Sequence, residues 1–444
     1  MWAALRFAVT IAVSEAALGV GFQLLAKFEQ TLNSPDEILR EMEVWVKEYA
    51  VDLVPSTRIG FSDTSPTLFC QLHPAAEDLE LSILDLDHFV ACAKTSTVGP
   101  GFHIFVCDML HKLGTRFNLT WITDNEDYFD EADYFFSGNQ ERVLEEMANW
   151  LGGLCRLFFD GTFKDEPGNM PTALCLRMFV AFEADARAVT PLGPRNLPWL
   201  KKVSENGRVG SDFFAWWKPG LNAEYFLGRA LSRMWTDIRW RKPINDSERD
   251  VLEYVVNSLD IAFKLDGNLS YPWPEWAEIL DFLERDDSEP DLARSRANGI
   301  PTIGYRRRNV RVTLPGHWIL NVPGSLSEFD ADENGDFSAQ DPPKTIWFSS
   351  WTFVDSPDQR LADARGAILD KSPGLLEERE GYIGWAEIEE KREDDEKYFV
   401  LTSSNVCRKG KAVVSVVFTD PEDRAWAEGV WRSLQPPKGK SSDE

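Results

Sequence analysis

Residues 330–341 have the ligand spacing of a calcium loop. Oxygen-bearing side chains stand at loop positions one, three, five and nine, glycine stands at position six, and a carboxylate stands at position twelve. Ca²⁺ is bound by several hard oxygens that converge on one cation, and the glycine permits the sharp turn. We therefore take this loop as a candidate calcium site. Its candidate metal ligands are Asp330, Asp332, Asn334, Asp336, Ser338 and Asp341.

Two features of the same loop favour a polar hairpin loop without a metal. Asp341 has a shorter side chain than the glutamate that usually closes a calcium loop. The flanks at 318–322 and 346–353 have strand-like patterns, and Pro342 and Pro343 follow directly, so the loop is not part of a helix–loop–helix pair. Apart from calcium at this loop, the sequence predicts no cofactor.

A second candidate site lies where a predicted strand runs into a loop rich in hydroxyls and glycine, with a helix behind it. Backbone N–H groups at such a helix start can hold a phosphate or a carboxylate. The candidate ligand-binding residues are Lys94, Thr95, Ser96, Thr97, Gly99, Gly101 and His103. The loop matches neither the Walker A nor the dinucleotide glycine pattern. The alternative is a strand–helix turn whose Gly-Pro-Gly serves backbone geometry alone.

Four of the five histidines fall between residues 73 and 111, which raises the question of zinc. His103, Cys107 and His111 lie at i, i+4 and i+8 on one side of one predicted helix. The outer two are about 12 Å apart along the axis, so the three cannot share one ion. Two of them together with Cys70 or His73 can still bind zinc. We favour structural roles for these side chains.

The charge and the cysteines exclude several classes of protein. The chain has 444 residues, with 47 Lys and Arg against 73 Asp and Glu, and its formal net charge is −26. Nucleic-acid binders carry basic surfaces, so nucleic acid is not an expected partner, whereas a basic protein is compatible with this charge. No apolar run approaches the ~20 residues of a membrane span, so no membrane is expected. Six sparse cysteines without a CxxC pair are typical of free thiols in a reducing compartment.

The start of the chain bears on localisation. The first cation is Arg6, and Glu15 interrupts the apolar residues, so we predict a buried strand over 5–13 rather than a signal peptide. The expected localisation is therefore cytoplasmic. The sequence also contains no G-x-S-x-G, H-E-x-x-H or Walker A motif, so it leans against an enzyme.

The periodicity predicts an α+β protein of two domains. Residues 1–283 form a mixed α+β domain with a helical second half, 284–302 form a charged linker, and 435–444 form a disordered tail. Within 1–283 we predict a hairpin of strands 79–84 and 88–93. One predicted helix begins at a capping box, Ser34–Glu37. Further helices are predicted at 102–113, 140–159, 223–239, 247–264 and 274–284. The candidate anion loop thus joins a strand to a helix.

Residues 303–434 are predicted to form an antiparallel sheet packed with helices. Strands are expected at 309–314, 317–322, 344–353, 375–380, 382–391, 398–405 and 412–418. One helix follows a second capping box at Ser356, and a last helix begins at Asp420. Glu387, Glu389 and Glu390 alternate with apolar residues along an exposed strand, which is typical of a solvated face.

This order of elements resembles the PsbP-like fold, which the DcrB-like bacterial proteins share. The resemblance covers about the last 130 residues and rests on Leu314–Trp318, Val413–Phe418, Thr419–Asp423 and Trp431–Leu434. It implies an α/β sandwich with a binding or accessory role, and it carries over no catalytic residue. Many such proteins are exported, whereas this chain has no clear signal.

These observations lead to one preferred function and two alternatives. The preferred hypothesis is a non-catalytic bacterial cytosolic interaction protein whose acidic surface binds a basic protein partner, as an immunity or accessory factor does. The first alternative is a ligand-binding enzyme with an anion site at residues 95–103. The second is a calcium-binding module at residues 330–341.

Overall fold

The computed structural model describes most of the chain in several segments. These are residues 19–31, 34–62, 65–123, 125, 127–157, 172–173, 179–180, 186–285, 290–329, 336–353, 357–369, 374–393 and 396–437. The predicted strand at 5–13 and residues 438–444 of the predicted tail lie outside them. At the start of that predicted tail, Gln435 instead exchanges backbone hydrogen bonds with Ile319, at 2.8 and 3.0 Å. The chain divides into two compact units, each with its own contacts. Unit 1 comprises Met1–Arg177, Phe182–Thr236 and Asp250–Ile303, and unit 2 comprises Met178–Ala181, Asp237–Arg249 and Gly304–Glu444.

The helices and strands of the described segments are as follows. The helices are α1 (Pro35–Tyr49), α2 (Pro100–Arg116), α3 (Tyr134–Ser137), α4 (Gln140–Leu157), α5 (Leu197–Glu205), α6 (Ala223–Thr236), α7 (Asp246–Leu265), α8 (Trp273–Phe282), α9 (Pro290–Arg296), α10 (Pro357–Leu369) and α11 (Arg424–Arg432). The strands are β1 (Gly21–Phe28), β2 (Ser56–Ser62), β3 (Ser65–Gln71), β4 (Leu79–Leu84), β5 (His88–Lys94), β6 (Leu119–Trp121), β7 (Phe129–Asp130), β8 (Thr172–Ala173), β9 (Phe179–Val180), β10 (Ala186–Thr190), β11 (Gly193–Asn196), β12 (Asn309–Leu314), β13 (Trp318–Pro323), β14 (Ser327–Phe329), β15 (Phe337–Asp341), β16 (Lys344–Thr352), β17 (Leu375–Arg379), β18 (Tyr382–Glu393), β19 (Glu396–Cys407) and β20 (Gly410–Phe418).

Unit 1 is built on an antiparallel sheet of the order β2-β3-β4-β5-β1-β6, with β7 also paired to β1. The β4–β5 hairpin pairs Leu84 with His88 and confirms the predicted hairpin. Helix α2 is apolar on nearly all sides, and most of its residues from Pro100 to Leu110 are buried. A helix that is apolar all round belongs in a core. The candidate loop therefore opens onto the most buried helix of unit 1.

Unit 2 is built on an antiparallel sheet of the order β14-β15-β16-β20-β19-β18-β17. One face of this sheet carries the alternating buried residues Phe348, Leu401 and Val414, and α11 packs there with Trp431 fully buried. The other face meets α10 only along β18 and β19, where Trp385 is buried. The rest of that face, on β15, β16, β20 and the far part of β19, contains half-buried and exposed residues.

The α+β class with antiparallel sheets and helices is confirmed, and several predicted bounds change. Helix α6 ends at Thr236 instead of residue 239, and the predicted linker at 284–302 contains α9. A short 3₁₀ turn at 421–423 precedes α11. The buried residues of α11 are Ala427, Val430 and Trp431, which share one face of the helix because they stand at i, i+3 and i+4.

Candidate functional site

The loop predicted to bind an anion uses its backbone donors inside the fold. The N–H groups of Thr95 and Ser96 donate to the carbonyl oxygen of Val20, at 2.9 and 3.1 Å. The N–H of Gly101, in the first turn of α2, donates to the carbonyl oxygen of Trp216 at 3.0 Å. A Cβ at Gly101 would lie 2.3 Å from Cδ1 of Trp216, so this glycine permits a close packing contact. The start of α2 is therefore covered by protein.

The structure brings most of the predicted loop residues together in the interior. Lys94 is exposed at the end of β5. The buried members of the set are Thr95, Ser96, Thr97, Gly99, Gly101 and His103. Gly99 has a φ of +121°, a backbone conformation that favours glycine. The glycines thus serve the turn and the packing, which is the alternative that the sequence left open.

Unit 1 contains a fully buried cluster of polar side chains around His103. Its Nε2 lies 3.1 Å from Oδ1 of Asp130, and both side chains are 0% exposed. Its Nδ1 lies 2.9 Å from Oγ1 of Thr95. Cys107 lies one turn further along α2. One potential ligand atom from each of His103, Cys107 and Asp130 lies within 4.8 Å of the other two.

Asp130 is held in place by backbone donors. Its Oδ1 accepts the N–H of Ala132 at 2.9 Å, and its Oδ2 accepts the N–H of Phe135 at 2.8 Å. Burial acts to raise the pKa of Asp130, but the nearby His103 side chain and the hydrogen bonds from the two N–H groups outweigh it, so the pKa is lowered. The carboxylate is therefore charged inside the core.

Asp130 was not among the residues predicted to bind a ligand or a metal, because a nonlocal strand pairing places it beside α2. Asp130 pairs in register with Phe22 of β1, and the His103 ring packs edge-on against the same Phe22, with 5.8 Å between centroids. The sequence signal was limited to the segment 129–135, where three acids, Asp130, Glu131 and Asp133, lie between aromatic residues. The spacing of residues on α2 predicted that His103 and Cys107 lie on one side of the helix, but it gave no third ligand for a metal cluster.

The other histidines of the predicted zinc set have partners elsewhere. His111 stacks on Phe135 with 4.0 Å between ring centroids, and its Nε2 lies 2.8 Å from the carbonyl oxygen of that residue. Nδ1 of His73 accepts the N–H of Ala75. His88 contacts Asp87 at 2.7 Å. Within the described residues, only His103 of this set joins a metal-compatible cluster.

Cys70, Cys107, Cys155 and Cys407 are free thiols, as predicted. Burial raises the pKa of Cys70 and of Cys107 above the usual thiol range, and nearby carboxylates raise both further. Burial also raises the pKa of Cys155 to about 12. A thiol in this state is a poor nucleophile, because the thiolate is the reactive form.

Half of the predicted calcium ligands fall on or beside a strand. Asp330, Asp332 and Asn334 lie outside the described residues. Asp336 precedes β15, Ser338 pairs with Trp347 across the sheet, and Asp341 closes the strand. Oδ1 of Asp341 lies 3.3 Å from Nε of Arg241. Burial raises the pKa of Asp341, although Arg241 acts to lower it.

Unit 2 presents an open sheet face, which we define as the uncovered face of β15, β16, β20 and β19 with its β18 border. One row of side chains crosses it in the register of the strand pairing. That row consists of Ser338, Trp347, Ser415, Thr402 and Glu387. Trp347, the second member of the row, is 52% exposed. Strands are about 4.8 Å apart, so Trp347 and Glu387 stand about 14 Å apart.

A second row of the open sheet face is more apolar. It consists of Gln340, Thr345, Val417, Val400 and Glu389. Trp351 lies further along β16, is 55% exposed, and pairs with Lys411. The face therefore combines two large aromatic side chains and valines with hydroxyls, and acids border it on β18.

The acidic strand that the sequence predicted is partly neutralised within its own hairpin. Nζ of Lys397 lies 2.8 Å from Glu390, and Nη2 of Arg392 lies 3.5 Å from the same carboxylate. Nζ of Lys391 lies 3.6 Å from Glu389. Glu387 is exposed on the open sheet face. The acidic character of this face is therefore concentrated near Glu387.

Arg306 and Arg307 lie near the start of the last segment of unit 2 and make contacts within that unit. Arg306 forms a two-pronged ion pair with Glu328, at 2.9 and 3.3 Å. The guanidinium of Arg307 lies 3.7 Å from the ring centroid of Trp240. These cations support the fold of unit 2, which gives them a structural role.

Two further features of the described residues concern a membrane span and a surface depression. Among the described residues, no helix has both the length and the apolar character needed to cross a membrane. A shallow surface depression of about 270 Å³ is lined by residues of α4 and the segment after α5, including Asn149 and Arg208. None of the residues predicted to bind an anion or calcium lines it.

Comparisons with known proteins provide little. No protein-family model matches the chain, and no curated protein matches it. One solved structure, of a protein from Bacteroides thetaiotaomicron VPI-5482, matches 29% of this chain and 48% of that chain at 17% identity. The match thus spans about half of that protein, and its TM-score is 0.25. The candidate sites of this chain therefore rest on its own residues.

Proposed function

We propose that this chain is a non-catalytic binding protein that captures a basic protein partner on the open sheet face of unit 2. The observation that carries the proposal is the exposed Trp347 in a row with three short hydroxyl side chains, Ser338, Ser415 and Thr402. Tryptophan is enriched among the residues that contribute most to protein–protein binding. A tryptophan that is 52% exposed leaves apolar surface that a partner can cover.

The arrangement around Trp347 matches the general anatomy of a protein interface. Val400 and Val417 add apolar surface in the neighbouring row, and Trp351 adds a second aromatic ring along the same strand. Ser338 and Ser415 flank Trp347 with short hydroxyls that can form hydrogen bonds at low cost in side-chain entropy. An apolar centre with a polar border is typical of such surfaces.

Charge supports a basic occupant over an acidic one. The chain carries a formal net charge of −26 and therefore attracts cationic proteins at long range. On the face itself Glu387 is exposed beside the hydroxyl row, where a lysine or arginine of the partner can pair with it. Lys411 lies next to Trp351 and defines a side of the face where the partner needs an acceptor or a carboxylate.

The setting of this function belongs to the same proposal. The resemblance of residues 303–434 to PsbP-like and DcrB-like proteins favours a bacterial accessory or immunity role. The free buried thiols support a reducing compartment such as the cytosol. The enzyme alternative at 95–103 receives less support, because the His103 side chain is fully buried and the described loop donors already bind protein carbonyls.

The test is a binding measurement with matched variants. A partner captured from cell extract is purified, and its Kd is measured against the wild type, Trp347→Ser, Glu387→Lys and a control variant, Phe61→Ser. Phe61 is 72% exposed on β2 of unit 1, so it matches the exposure of Trp347 without lying on the proposed face. We expect Trp347→Ser to weaken binding by about 30-fold or more, because such residues contribute ~2 kcal/mol or more.

The charge variant and the control decide the mechanism. Glu387→Lys should weaken binding and make it less sensitive to salt, since a screened attraction is lost. Phe61→Ser should leave the Kd within about twofold. A captured partner that is acidic, or whose affinity changes equally in all three variants, contradicts the proposal.

A further inference from the structure

Three different metal-binding groups meet in the core of unit 1, at a position that the proposed function does not use. His103 and Cys107 stand one turn apart on α2, and Asp130 stands on β7. One ligand atom of each lies within 4.8 Å of the other two, and all three residues are buried. Ligand atoms around a tetrahedral zinc ion are about 3.4–3.6 Å apart, so small side-chain movements would close the cluster on an ion.

The ring nitrogens of His103 differ in how well their contacts are aligned. Nδ1 lies 2.9 Å from Oγ1 of Thr95, and that hydroxyl is placed to donate to the carbonyl oxygen of Val20 at 3.2 Å. If the hydroxyl donates to Val20, Nδ1 must be the donor to Thr95. Nε2 is buried and close to Asp130, but no described acceptor lies along its hydrogen-bond direction. In that tautomer the Nε2 lone pair points into the cluster.

We infer that His103, Cys107 and Asp130 bind one Zn²⁺ ion, with Nε2, Sγ and a carboxylate oxygen as its protein ligands. Nitrogen, thiolate and carboxylate oxygen are the three donor types that zinc takes in proteins, and three protein ligands leave the fourth position for another group. Ca²⁺ and Mg²⁺ fit this site poorly, because these hard cations take oxygen ligands and two of the three donors here are sulfur and nitrogen.

The surroundings hold the ligands as an outer shell does in known zinc sites. A ligating histidine usually donates its second ring N–H to an oxygen, which fixes its tautomer and orientation. Thr95 occupies that position for His103. The N–H groups of Ala132 and Phe135 fix the carboxylate of Asp130 in the same way.

Binding is balanced as a proton-for-metal exchange. The S–H bond of Cys107 breaks, a Zn–S bond forms, and the proton leaves to solvent. Any proton on Nε2 of His103 also leaves to solvent, so that its lone pair binds the ion, and Asp130 contributes its negative charge. The site then contains two negative ligands and a divalent cation, so the buried charges cancel.

The first experiment uses the full-length wild type. Protein stripped with a chelator and reloaded should hold one equivalent of zinc after dialysis. Zn²⁺ at 100 times its Kd should shift the folding equilibrium about 100-fold, or ~2.7 kcal/mol, in urea unfolding. Co²⁺ in place of Zn²⁺ should give a thiolate-to-cobalt charge-transfer absorption. Absence of retained zinc together with an unchanged unfolding curve would overturn the inference.

Matched variants then assign the ligands. Cys107→Ser should lose the cobalt absorption and weaken zinc binding by more than the ~10–100-fold expected for loss of an outer-shell partner. Thr95→Val should fall within that smaller range. Cys155→Ser removes another fully buried free thiol, in α4, and should bind zinc as the wild type does.

Two outcomes contradict the assignment of ligands. If Cys155→Ser loses zinc as completely as Cys107→Ser, the metal binds thiols without selecting this site. If Cys107→Ser does not fold, the cobalt spectrum of the wild type decides alone, and a spectrum without thiolate absorption excludes Cys107.

Discussion

The polar network around Asn405 makes a sharp prediction about how α11 covers its face of the unit 2 sheet. Oδ1 of Asn405 accepts hydrogen bonds from Tyr382 Oη and from Trp431 Nε1, both at 2.9 Å. Its Nδ2 donates to Oγ of Ser403 at 2.8 Å. Asn405 and Trp431 are fully buried, and Tyr382 is 2% exposed. Water therefore cannot replace any lost partner.

Asn405→Leu removes the shared acceptor and leaves two buried donors without a partner. Each buried unsatisfied group costs about 1–3 kcal/mol, so we expect a total loss of about 2–6 kcal/mol. Tyr382→Phe alone removes one donor while Trp431 still satisfies Asn405, and should cost about 0.5–1.5 kcal/mol. In the Asn405→Leu background the same tyrosine change removes an orphaned hydroxyl and should cost almost nothing.

The assay is urea unfolding of the full chain, followed by hydrogen exchange in peptides from 399–418 so that the signal belongs to this sheet. A double-mutant cycle of Asn405→Leu and Tyr382→Phe should give a coupling energy of about 0.5–1.5 kcal/mol. The reasoning is refuted if Asn405→Leu costs less than about 1 kcal/mol and Tyr382→Phe has the same effect in both backgrounds.

Three further predictions concern charge and glycine. The folded-state pKa of Asp130 is lowered, so its contribution to stability is present above the unfolded pKa of about 4 and is lost as pH falls. Urea unfolding measured between about pH 6 and pH 3 should therefore show a larger loss of stability for wild type than for Asp130→Asn. Gly101→Ala should destabilise unit 1 by about 1–3 kcal/mol in thermal unfolding, because the added Cβ would lie 2.3 Å from a tryptophan atom. Gly153→Ala in α4 should stabilise the protein by about 0.5–1 kcal/mol in the same assay, because a Cβ at residue 153 would point into open space. Arg241→Met should cost about 3–5 kcal/mol in urea unfolding, since it leaves the largely buried Glu248 without its ion-pair partner at 2.7 Å.

Local patterns predicted much of the secondary structure. A strand was predicted over 344–353, and β16 lies there, with Ile346 and Phe348 buried and Trp347 and Trp351 exposed. The β4–β5 hairpin and the helices after residues 34, 102 and 140 also follow from periodicity and turn residues. These features depend on neighbours within a few residues, so the sequence contains the information that they require.

The sites depend on contacts that periodicity does not encode. Asp130 joins His103 only because β7 pairs with β1, so no spacing within α2 could reveal it. Alternation predicted two faces for β16 but could not decide which face a helix would cover. The open sheet face exists because α10 reaches β18 and β19 while β16 and β20 stay uncovered on that side. For this reason the acids of β18 could be named as a surface feature from the sequence, whereas Trp347 could not.

The most direct test of the central claim is a footprint of the open sheet face in the bound state. Hydroxyl-radical oxidation of Trp347 and Trp351 is measured by mass spectrometry with and without the purified basic partner, and Phe61 is the exposed reference. The account predicts that the partner lowers oxidation of both tryptophans several-fold and leaves Phe61 unchanged. Equal oxidation of Trp347 in the free and bound states, at saturating partner, would contradict it.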